Sequence, residues 1–173
     1  MIRISILHGY GINCDLETFS TMETAIKQNN IDNTEIKVKK DHINDLINDS
    51  SILQKSELIV IPGGFLHGDA ISAGKILSNK LRTNLSEEIE QFVKDGKLLL
   101  GICNGFQVLA KYPLLPTSNS QKQKISLTYN DLGRFIDKWT YLKVEDSNCI
   151  FLKDIDKIHL PIRHAEGKFV ASE

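Results

Sequence analysis

The chain has 173 residues, 41% hydrophobic and 25% charged, which suits one domain with a real core. A formal net charge of −1 gives no basic excess for nucleic acid or an anionic membrane, and no apolar run approaches the ~20 residues that span a bilayer. Three cysteines without a CxxC pair argue against a disulfide framework or a zinc site, and MIRISILHG lacks a signal-peptide pattern, so the expected compartment is a reducing cytoplasm.

Residues 2–7, IRISIL, read as a buried strand. Leu16, Phe19, Met22 and Ile26 then recur at helical spacing, with Asn13 or Asp15 placed to cap the helix. The run from Thr34 to Lys39 alternates polar and apolar and reads as an outer strand. Ile43, Leu46, Ile47 and Leu53 suggest a second helix. ELIVIPGG, residues 57–64, is a buried strand entering a Pro-Gly-Gly turn. Leu85, Ile89, Phe92 and Val93 mark a third helix, ended by Asp95-Gly96. KLLLG, residues 97–101, is the next strand, and Phe106, Gln107, Leu109 and Ala110 continue as a helix that Pro113 terminates. After it, residues 116–124 are polar and loop-like, RFIDKWTYLKVE (134–145) is strand-rich, and KIHLPIRH (157–164) is one more strand.

Such alternation predicts an α/β fold: one domain over residues 1–173, with a mostly parallel sheet covered by helices on both faces. Ligand sites in such sheets lie at the carboxyl ends of the strands. Both the PGG turn and the GICNG stretch (101–105) fall at such ends.

Gly101-Ile102-Cys103-Asn104-Gly105, between a strand and a helix, has the form of a nucleophile elbow. The tight turn lifts Cys103 to the rim, where unpaired N–H groups and the helix dipole favour a thiolate. The Asn104 backbone N–H can donate to an oxyanion, a role that leaves the side chain idle, and Gly63 or Gly64 can supply a second donor. The alternative reading is a small residue accommodated in a tight turn.

GICNGFQVL resembles the nucleophile segment of class I (triad) glutamine amidotransferases. PGGFLHGDAISAG (62–74), with GINCDLET, RFIDKWTYLKVE and LPIRHAEGKF, narrows the resemblance to glutaminase subunits of phosphoribosylformylglycinamidine synthase. The resemblance implies a flavodoxin-like amidotransferase fold and Cys103 as the nucleophile toward glutamine. It implies no cofactor in this chain, with ATP and Mg on a synthetase partner that uses the ammonia in purine biosynthesis. A small bridging subunit completes the implied complex. The chain departs from the family pattern at His8, Tyr10 and Gly11 of the first loop and at Leu66 and His67.

The family's base is a His-Pro-Glu motif near the C-terminus, and no such tripeptide occurs in the 173 residues. His164-Ala165-Glu166 has the right spacing, and on one strand both side chains would face the same way. The resemblance, however, matches this segment upstream of the dyad, so a pocket or structural role is favoured over a substitute dyad. The chain thus reads as a family member lacking its C-terminal part, and the alternative function is a catalytically dead or truncated assembly module. Asp69 is expected to hold the glycine-rich loop through backbone bonds, and Gln107 to line the glutamine pocket or to pack. Cys14 and Cys149 read as small core or loop residues, His42 and His159 as isolated, surface or satisfied histidines, and Trp139 as core rather than a cofactor contact.

Overall fold

The computed structural model describes residues 1–31, 35–116 and 123–172. Thr34 and most of the polar stretch expected as a loop over 116–124 lie outside these. Four strands form the main sheet: β1 (Ile2–His8), β2 (Ile36–His42), β3 (Leu58–Ile61) and β4 (Leu98–Gly101). Their order is β2-β1-β3-β4 and every pairing is parallel, as the alternation predicts.

Period-two alternation sorts the apolar side chains onto two faces. Ile4, Ile6 and Val60 pack with Phe19 and Met22 of α1 (Asp15–Gln28). Leu7, Ile59 and Ile61 pack on the opposite face. They meet α2 (Ile43–Asn48), α3 (Ser51–Lys55), α4 (Lys75–Lys94) and α5 (Asn104–Lys111). Both faces are therefore covered, which a parallel sheet requires.

Several local expectations differ from the structure. Cys14, not Asn13 or Asp15, holds the N-cap position of α1 and makes no side-chain cap bond; the Asn13 and Cys14 N–H groups both donate to the Gly63 carbonyl, at 3.2 Å each. Leu16 is 62% exposed, so the buried stripe of α1 runs through Phe19, Met22 and Ile26. The expected second helix is two helices. The Asp49 carboxylate accepts the Ser51 N–H at 3.1 Å and starts a new helix there; the Ser51 side-chain hydroxyl first, and then that N–H, hold the Asp49 carboxyl below its ordinary range. The third helix begins at Lys75, ten residues before the expected stretch, and its backbone leaves helical geometry at Leu85.

The described residues divide into two compact units, those within 1–126 together with 171–172, and Leu127–Val170. In the second, β6 (Ile136–Lys143) pairs antiparallel with β7 (Lys157–His164). Trp139 is 62% exposed rather than core. With Tyr141 it flanks His159, whose ring stacks on Tyr141 at 4.2 Å, so His159 is not isolated. The strands β5 (Ile125–Tyr129) and β8 (Glu166–Ala171) form a separate two-stranded sheet.

Candidate active site

The parallel register sets Ile61 opposite Gly101, so the chain leaves β3 and β4 side by side. Two residues further on stand Gly63 and Cys103. The Ile102 N–H donates to the Ile61 carbonyl at 3.0 Å, which joins the two exits. Cys103 has φ 55° and ψ −113°, a left-handed backbone that non-glycine residues seldom hold. This is the strain expected of an elbow, and α5 begins at the next residue, Asn104. The flanking glycines are there for close approach: a Cβ at Gly101 would lie 2.7 Å from the Gly105 carbonyl oxygen, and one at Gly105 would overlap the Ile61 carbonyl. The Cys103 thiol is exposed.

Gly63 stands directly beside the nucleophile. Its Cβ position is 3.1 Å from the Cys103 Cβ and 3.7 Å from the sulfurs of both Cys103 and Cys14. The two thiols are thus no further apart than twice that distance. Cys14 is exposed at the start of α1, and burial, then Glu17, Cys103 and Asp15, hold its pKa above the ordinary value.

Residues 9–14 and 63–68 form a paired loop. Phe65 N–H donates to the Gly11 carbonyl at 2.9 Å and His67 N–H to the Tyr10 carbonyl at 2.7 Å. Ile12 and Gly64 face each other across an antiparallel bridge, and a Cβ on Gly64 would lie 2.6 Å from the Asn13 nitrogen. Tyr10 stacks on His67 at 4.7 Å, the Lys80 ammonium lies 4.0 Å over the Tyr10 ring, and the Tyr10 hydroxyl donates to Asn44. His42 touches the rings of His8 and Tyr10 and accepts the Asn44 N–H at the start of α2, so it is a satisfied histidine and not an isolated one. The first-loop departures His8 and Tyr10 thus belong to one aromatic cluster that braces the loop pair. Burial, then the nearby Lys80, hold the His67 pKa below its ordinary value.

The Asn104 side chain is not idle. It is 1% exposed, accepts the Leu66 N–H at 3.1 Å, and donates to Asp69 at 2.9 Å and to Gln107 at 2.7 Å. Asp69 therefore has a side-chain partner where only backbone bonds were expected. Gln107 is 9% exposed and faces Asn104 through its carbonyl oxygen.

Cys103, Gly63, Gly64, Asn104 and Gln107 belong to the first unit, whereas His164 and Glu166 belong to the second. His164 and Glu166 do not share a strand. His164 ends β7, Glu166 begins β8, and the chain bends at Ala165 as it passes from one two-stranded sheet to the other. The His164 Nδ1 lies 2.9 Å from the Asn130 side-chain oxygen, and its ring packs over Gly167, where a Cβ would overlap it. Among the described residues no group of three or more His, Cys, Asp or Glu side chains is placed to hold a metal ion.

A family model for the CobB/CobQ-like glutamine amidotransferase domain matches residues 1–173. The chain belongs to this family. The curated relatives of this amidotransferase domain include phosphoribosylformylglycinamidine synthase subunit PurQ of Dehalococcoides mccartyi. It is 42% identical over 99% of this chain and 64% of that protein. The subunit of the same name from Methanococcus maripaludis strain C7 is 38% identical over 99% of this chain and 60% of its own length. The chain thus spans under two thirds of the length of these relatives. Among solved structures, PurLQS from Thermotoga maritima matches with TM-score 0.77 and 30% identity, over 99% of this chain and 70% of that one. The amidotransferase fold places the Cys103 elbow and the 63–69 loop at neighbouring strand exits, an arrangement local sequence pattern suggested. The Asn104 network was missed; its one signal was an amide side chain directly after the nucleophile, flanked by glycine.

Proposed function

We propose that this chain is a glutaminase subunit that releases ammonia from glutamine for phosphoribosylformylglycinamidine synthase. The observation that carries the reading is Cys103 at φ 55°, at the start of α5 and against Gly63. The Cys103 sulfur attacks the side-chain carbonyl carbon of glutamine, and the carbonyl oxygen takes the negative charge. Two backbone donors receive that oxygen: the Asn104 N–H at the helix start, and one from the Gly63-Gly64 turn. Gly64 is the better assigned of the pair. It faces Ile12 as a non-hydrogen-bonded partner, which turns its N–H away from that loop. The C–N bond then breaks, the leaving nitrogen takes a proton and departs as ammonia, and water cleaves the γ-glutamyl thioester to glutamate.

The ammonia passes to a synthetase subunit that holds ATP and Mg and converts formylglycinamide ribonucleotide to its amidine, with a small third subunit bridging the two. That assembly operates in the cytoplasm. Among the described residues no helix is long and apolar enough to cross a membrane. The relatives' names and the near-complete coverage of this chain support the assignment.

The test is thiol mapping by mass spectrometry after brief iodoacetamide treatment of the native chain. Cys103 is expected to label first, ahead of Cys14, whose pKa is raised by burial and by the neighbouring Glu17, and L-glutamine is expected to protect Cys103 alone. Equal labelling of Cys14, or no protection by glutamine, would remove the elbow from this role.

A further inference from the structure

We propose that the Asn104 side chain is a positioning residue that holds the oxyanion loop and the Gln107 amide in register with Cys103. The proposal rests on the glutaminase reading and extends it to a side chain that never touches the reacting atoms.

The loop after Gly64 does not hold its own shape. His67, Gly68 and Asp69 have φ values of 54°, 65° and 51°, three left-handed residues in succession, of which only glycine adopts that region without strain. Outside anchors are therefore needed: the 9–14 loop holds Phe65 and His67, and Asn104 is the side chain that reaches both Leu66 and Asp69. Its oxygen takes the Leu66 N–H, beneath a side chain only 2% exposed, and its nitrogen donates to Asp69 at the far end of the turn.

The amide orientation is forced by its partners. A backbone N–H only donates and a carboxylate only accepts, so the oxygen must face Leu66 and the nitrogen Asp69. The second N–H of the same nitrogen goes to the Gln107 carbonyl, which fixes which end of the Gln107 amide faces away from Asn104. Asn104 is also the first residue of α5, directly after the nucleophile. One buried side chain thus couples the elbow, the loop carrying the Gly63-Gly64 donors, and Gln107. No aliphatic or hydroxyl residue offers one acceptor and two donors in that plane.

The experiment compares alkylation of Cys103 by a chloroisoxazole amino acid shaped like glutamine with alkylation by iodoacetamide, using the whole 173-residue chain. The ratio of the two rates reports how well the site is set for a glutamine-shaped carbonyl, apart from thiol access. Misplacement near 1 Å costs about a hundredfold, so Asn104→Ala is expected to lower the ratio roughly ten- to a hundredfold while the iodoacetamide rate holds. Asn104→Asp is expected to fall as far, because it loses both donors and sets a carboxylate against Asp69. Combining Asn104→Asp with Asp69→Asn exchanges donor and acceptor across the Asp69 contact only, while the Gln107 amide must turn to meet the new carboxylate. The pair is therefore expected to recover the share of the ratio owed to the loop and not the share owed to Gln107, a partial rescue that loss of packing alone does not produce. An unchanged ratio in Asn104→Ala, or an exchanged pair whose ratio is no higher than that of Asn104→Asp alone at matched melting temperature, overturns the proposal. If Asn104→Ala does not fold, the comparison of Asn104→Asp with the exchanged pair decides. A wild-type chain with no preference for the glutamine-shaped reagent overturns both this proposal and the glutaminase reading.

Discussion

Gly105→Ala pits a local rule against a tertiary one. Gly105 lies in the first turn of α5, where helix propensity alone favours alanine by up to about 1 kcal/mol. The structure argues the opposite. A Cβ at this position would overlap the Ile61 carbonyl oxygen and lie 2.7 Å from its carbon and 3.0 Å from the Ile61 Cβ. These are atoms of a central strand, not the tip of a flexible side chain, so α5 and β3 must separate. Overpacking of this kind costs about 1–3 kcal/mol. The Ile61 carbonyl also accepts the Ile102 N–H, and disturbing that bond costs about 1 kcal/mol more. After the propensity gain is subtracted, the net is about 1–3 kcal/mol destabilising. At ~2–4 °C per kcal/mol for a chain of this length, the melting temperature is expected to fall by roughly 2–12 °C. Scanning calorimetry measures it, with Gly96→Ala as a control in which no atom lies within 4 Å of the new Cβ and only the strain of φ 77° remains. An unchanged or raised melting temperature for Gly105→Ala would refute the claim that the elbow is seated directly on β3.

Asp41 accepts two bonds from Arg3, at 2.7 and 2.8 Å, and one from the fully buried Ser5 hydroxyl. Asp41→Ala is therefore expected to cost about 1–3 kcal/mol in urea unfolding, and no measurable loss would show that water replaces the carboxylate. Burial and Lys80 depress the His67 pKa, and its buried Nε2 finds no hydrogen-bond partner among the described residues. The neutral ring is thus the form that the fold prefers. Its stabilising share is complete above pH 6.5 and is lost as pH falls from there through the lowered value, and His67→Asn, which tolerates the left-handed backbone, is expected to flatten that decline in melting temperature. An equal decline in both proteins would assign the effect elsewhere. On the glutaminase reading, with His164 and Glu166 in the second unit, these 173 residues assayed alone are expected to release little ammonia from glutamine, as acid–base help is worth ~10²–10⁴-fold. Robust turnover abolished by both His164→Ala and Glu166→Ala would make that pair the working dyad.

The strands β1, β3 and β4 were legible because each is a short apolar run bounded by turn residues, a pattern that depends on near neighbours alone. The elbow was legible for the same reason: Gly101, Cys103 and Gly105 meet a steric demand confined to one turn. The split between α2 and α3 turned on local bonds from Ser51 to Asp49, too weak a signal against the apolar spacing of Ile43, Leu46 and Leu53. Trp139 was misplaced because alternation marks a strand but not which of its faces finds a partner. His164 and Glu166 kept their spacing yet lay on different strands, since only strand pairing decides where the chain bends. The Asn104 bonds to Leu66 and Asp69 join residues 38 and 35 positions apart, and nothing local encodes them. They exist because parallel pairing sets Ile61 beside Gly101 and so brings two loops, each unremarkable as sequence, within hydrogen-bonding distance at one edge of the sheet. Residue type therefore determined which groups could do chemistry here, and the register of the sheet decided which of them meet.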